Sequence, residues 1–141
     1  MEQKDFFDFL RKLEAFKVRF KELHWNAGNN ASHKLCDQVL DFLGEFQDEF
    51  AESGFIQFGK FSVGEFNAPT DLIVSETLKE TLKELFSTII DVKGLTAPDE
   101  KRQPDFSSLV DTAITKTKRI IYLYCLEDVE AESEFKVLFS F

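Results

Sequence analysis

Residues 24–52, HWNAGNNASHKLCDQVLDFLGEFQDEFAE, hold both histidines of a 141-residue chain together with a dense run of carboxylates. At 100° per residue, with His33 set at zero, Asp37, Asp41, Gly44, Asp48 and Glu52 fall at about 40°, 80°, 20°, 60° and 100° on a helical wheel. These residues form one polar stripe. Leu35, Val39, Phe42, Leu43, Phe46 and Phe50 fall between about 180° and 280°, which is the apolar face a helix needs to bury against neighbours. The stripe therefore faces away from the core.

A carboxylate stripe on an outer face reads, on its own, as a solvated surface. The histidines add a second reading. His33 and Asp37 sit at i, i+4, as do Asp48 and Glu52, and either pair can reach a common metal ion. The pairs cannot reach each other within one chain, because the helix rises about 16 Å between Asp37 and Asp48. A second copy packed antiparallel about a two-fold axis near Phe42 and Leu43 brings Asp48 and Glu52 of one subunit opposite Asp37 and His33 of the other. Gly44 lies near that axis, where a side chain would crowd the helices. Two equivalent sites per dimer are expected, each costly when empty: two carboxylates 4 Å apart repel by about 4 kcal/mol at an effective dielectric of 20.

Lys21-x-x-His24-Trp25-Asn26, then His33-x-x-x-Asp37, then Asp48-x-x-x-Glu52, resemble the ferroxidase motif of the Dps family, the mini-ferritins that protect DNA in starved bacteria. Ala51-Glu52-Ser53 and Gln57-Phe58-Gly59 resemble that family's passage out of its second helix. The resemblance is specific in spacing over residues 21–59 and elsewhere extends only to the hydrophobic pattern. It implies a di-iron site shared between two-fold related subunits, with His24, His33 and Asp37 from one and Asp48 and Glu52 from its mate. It also implies a ferritin-like four-helix bundle, assembly into a dodecameric shell, and oxidation of Fe(II) by hydrogen peroxide or oxygen with storage of Fe(III). Trp25, beside His24, would be an aromatic that takes up oxidising equivalents; an aromatic plug at the end of the bundle is the plainer reading. Two features depart from the family. The segment between His24 and His33 is a few residues shorter than is usual, and the chain starts MEQKDFFDF where DNA-binding members commonly carry a mobile lysine-rich tail.

Composition agrees with a single domain over residues 1–141: 43% hydrophobic and 30% charged residues suit a globular protein with a proper core. Seventeen phenylalanines point to a core of large flat side chains. A net charge of −9 repels nucleic acid and anionic membrane and suits a protein that attracts cations, so DNA binding is not expected. No stretch reads as a membrane span or a signal peptide, and the cytoplasm is the expected location. Cys36 and Cys125 are too few for a disulfide framework and read as small apolar residues.

The remaining helices follow from periodicity. Phe6, Phe9, Leu10, Leu13, Phe16, Phe20 and Leu23 mark a first helix over residues 5–25, broken by Gly28-Asn29-Asn30. The second spans 31–55. Residues 56–71 mix Gly, Pro and Asn without a helical period and are long enough to return along a whole bundle, giving a long crossover between helices two and three. A third helix is expected over 72–92 with Gly94 as its stop, then a loop over 95–104. A fourth helix is expected up to residue 127, capped by Asp105. In the tail, 129–141, Phe135, Val137, Phe139 and Phe141 alternate with Lys136, Leu138 and Ser140, a strand-like or groove-docking pattern. Such a tail docks on its own bundle or a neighbouring subunit, or recognises another protein.

Gly-rich phosphate loops, G-x-S-x-G and His-Glu-x-x-His are absent, as is the Glu-x-x-His pair of a di-iron centre within one bundle. The carboxylate-rich mixture with two imidazoles favours iron over zinc, although the ligand set would bind either. The competing expectation is a non-catalytic ferritin-like structural or interaction protein, whose helix-two metal only cements an oligomer.

Overall fold

The computed structural model describes residues 1–99 and 101–140, with side chains except at positions 70 and 99. The described residues form an all-α bundle without strands. Its helices are α1 (Gln3–Trp25), α2 (Asn30–Phe58), α3 (Leu78–Thr96), α4 (Pro104–Glu127) and a short α5 (Glu132–Phe139).

Local chemistry sets the ends of the two helices that matter most. Glu2 and Asp5 close a capping box at the start of α1, and the Asn29 side chain accepts from the Ser32 amide at 2.8 Å to start α2. Gly59, at φ +91°, ends α2 in a conformation other residues avoid. The second helix thus runs a turn beyond residue 55.

α1 packs on α2, α2 on α4, α4 on α3, and α3 back on α1, so α2 and α3 are diagonal. The Met1 ammonium donates to the Leu95 carbonyl at 3.1 Å, while Arg19, late in α1, bonds the Ile73 and Ser75 carbonyls just before α3. α1 and α3 are therefore antiparallel. Phe50 of α2 meets Phe106 of α4 with ring centroids 4.3 Å apart, and Leu35 shares a groove with Tyr124, so α2 and α4 are antiparallel too. It follows that α2 and α3 point the same way, and their connection must travel the length of the bundle. It does so alongside α1: the Phe61 ring lies tilted against Phe7 with centroids 4.4 Å apart, the Arg11 guanidinium lies 5.0 Å from the Phe61 ring, and Arg19 holds the far end.

The core is built on phenylalanine. Phe6 is fully buried, with ring centroids 4.9 Å from Phe58 and 5.7 Å from Phe50. Gly54 lets α1 approach α2 here, since a Cβ at that position would run into the Phe6 ring.

Several boundaries differ from expectation. α3 begins at Leu78 and not at 72, because Arg19 takes the Ile73 and Ser75 carbonyls and Glu84 takes the Ser75 amide at 3.0 Å and its hydroxyl at 2.6 Å. With those groups satisfied outside a helix, the crossover extends to residue 77, where Thr77 caps α3 by accepting from the Glu80 amide at 3.2 Å. Gly94 does not stop α3, which continues to Thr96. Gln103, not Asp105, stands at the N-cap position of α4 and makes no side-chain capping bond; Pro104 takes the first helical position, where its missing N–H costs nothing. In the expected loop over 95–104, position 100 lies outside the described residues.

The strand-like reading of the tail is wrong over residues 132–139. They form α5, which docks on the chain's own bundle, with Phe139 4.8 Å from Phe86 and Glu134 paired with Lys83 at 2.7 Å and Lys79 at 3.1 Å. Phe135 and Phe139, four apart, share a helical face as well as a strand parity, so alternation alone could not separate the two. Phe141 lies outside the described residues. Among those that are described, no helix is long and apolar enough to cross a membrane.

Candidate metal centre

The outer stripe of α2 stands as the wheel predicts, with His33, Asp37, Asp41, Asp48 and Glu52 all exposed. Position 24 ends α1, and the short turn through Gly28 folds it back on the first turn of α2. The His24 and His33 rings stack with centroids 3.8 Å apart. His24 Nδ1 lies 3.1 Å from the His33 carbonyl oxygen and 3.4 Å from Asp37 Oδ1. Two oxygen acceptors around Nδ1 favour the tautomer protonated there, which leaves Nε2 with a free lone pair.

Ligand atoms of His24, His33 and Asp37 all lie within 4.8 Å of one another, the one such group of three among the described residues. Two imidazoles and a carboxylate are a donor set that divalent iron or zinc accepts, leaving coordination positions open to further ligands. Cys36 contributes nothing to it. Its side chain is turned inward, and burial, aided by the Asp37 charge, pushes its thiol up to about 11.

Asp48 and Glu52 are not part of this group. They stand at the other end of the stripe, and line a cavity of about 370 Å³ between α2, α1 and the start of the crossover, together with Ala51, Phe55, Phe61 and Phe66. Gln47, on the flank of the same turn, is buried. It accepts from Lys17 Nζ at 3.1 Å and donates to Glu14 at 3.3 Å and to the Leu10 carbonyl at 3.4 Å, so a polar bridge to α1 fixes the rotation of α2 where Asp48 projects. On the helical wheel Gln47 falls at about 320°, beyond the edge of the apolar face, so periodicity gave no signal of this role. The crossover rings Phe61 and Phe66 carried no periodic signal at all.

Trp25 does not plug the end of the bundle. It is 74% exposed, immediately after His24. Lys21 is exposed as well. Comparison of the chain with protein-family models, with curated proteins and with solved structures gives no match.

Proposed function

We propose that the chain is a ferritin-like, Dps-type subunit that pairs antiparallel through α2, oxidises Fe(II) at sites shared across that two-fold, and stores Fe(III) in a larger shell. One observation carries the reading: half-buried His24, at the end of α1, meets the exposed His33 and Asp37 of α2, while Asp48 and Glu52 lie on the same α2 stripe in matching register. The two-fold that sets 37 against 48 also sets 33 against 52, since both pairs are centred between residues 42 and 43, so that paired residue numbers total 85. The helix order 1-2-4-3 with an end-to-end crossover supports the ferritin-like connection, in contrast to the order 1-2-3-4 of a simple up-and-down bundle.

Iron is the substrate here. Hard carboxylate oxygens stabilise Fe(III) over Fe(II), and Asp48 and Glu52 supply the anionic half while the histidine half orients the ion. Two Fe(II) ions give one electron each to one hydrogen peroxide; its O–O bond breaks and two hydroxides form, so no hydroxyl radical is released. A net charge of −9 concentrates cations at the surface and repels DNA. The cytoplasm, where Fe(II) is available, is the compartment this reading fits.

The test is Fe(II) oxidation by peroxide and by air, followed by absorbance, on the chain and on Asp48→Ala/Glu52→Ala, with the native mass measured in parallel. Oxidation continuing well past two irons per site by a large oligomer, and lost in the double variant, is the expected result. No oxidation above buffer would overturn the catalytic reading and leave a structural metal site.

A further inference from the structure

Trp25 is the single tryptophan of the chain, and it is exposed at the end of α1 next to His24. At the opposite end of α2, Leu10, Ala51, Phe55, Phe61 and Phe66 line the 370 Å³ cavity that Asp48 and Glu52 also border. We propose that the indole of Trp25 from a second copy of the chain seats in this cavity, anchoring the α2 pair. The proposal rests on the antiparallel pairing described above.

Register and side both point there. His24 stacks on His33, so Trp25 lies near the level of residues 31–33, and the axis that makes paired numbers sum to 85 sets those opposite residues 52–54 of the other copy. The cavity spans that level, from Ala51 to Phe55. A two-fold that reverses α2 while keeping the helices in contact lies in the interface plane, perpendicular to them. It leaves α1 of both copies on the same side of the α2 pair. The cavity opens between α2, α1 and the crossover, on the side of α2 where the partner's α1 ends. An exposed indole and an open phenylalanine-walled hollow are thereby brought face to face, and each removes the other's apolar surface from water. Carboxylates of Asp48 and Glu52 stand beside the seat, so the indole and the histidine half of the site arrive together.

Because Trp25 is unique, its fluorescence reports its surroundings without ambiguity. Emission and acrylamide quenching are measured across a dilution series, without metal and with Zn²⁺, alongside sedimentation mass, for the chain, for Trp25→Ala and for Ala51→Phe, which fills the cavity. The expected result is that emission shifts to the blue and quenching falls in step with dimer formation. Trp25→Ala, which alters an exposed side chain of the single chain, should weaken the dimer about thirtyfold, the scale of a central anchor. Ala51→Phe, with helix content unchanged by circular dichroism, should leave Trp25 open to quencher. A dimer in which Trp25 stays as quenchable as in the monomer overturns the proposal but not the pairing. A chain that stays monomeric at every concentration with and without Zn²⁺ overturns both. A protected Trp25 that Ala51→Phe does not re-expose overturns this cavity as its seat.

Discussion

The two ends of α2 are held in place by different physics. At its start, His24, His33 and Asp37 are gathered by a short turn, a ring stack and two hydrogen-bond-length contacts, all at the surface. At its far end the helix is locked by packing, with Phe50, Phe58 and Phe106 around Phe6 and no room for a Cβ at Gly54. Polar geometry at an exposed end can be rearranged at little cost, whereas an aromatic lattice at native density cannot. The far end therefore sets where α2 lies, and the near end holds the gathered imidazole and carboxylate groups.

Gly54→Ala should produce the largest effect and test that division. The added methyl meets the fully buried Phe6 ring, which is itself packed on Phe58 and Phe50, so neither can yield cheaply. A destabilisation of about 3 kcal/mol is expected from overpacking of this kind, read as a lower denaturant midpoint. A neutral substitution would mean that the far end is as pliable as the near one.

His24→Ala and Asp37→Asn should do the reverse. Neither side chain belongs to the core; Asp37 is exposed, so Asp37→Asn should move the unfolding free energy by less than about 0.5 kcal/mol, while half-buried His24, stacked on His33, should cost about 1 kcal/mol or less when removed. Affinity for Zn²⁺ or Co²⁺, measured by calorimetry, should fall by about a hundredfold or more, beyond the range that outer-shell changes produce. Asp48→Asn in the same assay sharpens the contrast. Metal binding to the monomer should be untouched, and only the tighter binding of the paired form should be lost.

The same division decides what could be seen in the sequence. The first helix, the second helix and their faces follow from apolar residues at three- and four-residue spacing, and Phe6, Phe16, Leu43 and Phe50 are indeed fully buried. The i, i+4 rule places His33 and Asp37 together before any coordinates exist. That His24 joins them depends on how a four-residue turn folds back, which no periodicity encodes. The start of α3 was misplaced because the competitor for its backbone groups, Arg19, lies more than fifty residues away. Gln47 and the crossover rings Phe61 and Phe66 were missed for the same reason: their partners are tertiary. The tail failed differently, since four residues between two phenylalanines fit both a strand and a helix, and only the pairing of Glu134 with Lys79 and Lys83 on α3 distinguishes them.

The smallest expected effect lies midway between the two ends, at Gly44, and it has opposite signs in the single chain and in the pair. An added Cβ there meets nothing within 4 Å. In the isolated bundle Gly44→Ala should therefore stabilise, by about 0.5–1 kcal/mol, because alanine loses less backbone freedom than glycine on entering a helix. If two copies pair with their axis near residues 42 and 43, residue 44 of each chain lies opposite residue 41 of the other, within a turn of the axis at the closest approach of the helices, and a new methyl group on each chain must separate them. The denaturation midpoint of the dilute protein should rise while the sedimentation dimer constant weakens. Both quantities rising together would place the axis elsewhere on α2. Asp48 and Glu52 would then no longer fall opposite His33 and Asp37, and the shared site would lose its geometry even if the histidine cluster still bound metal by itself.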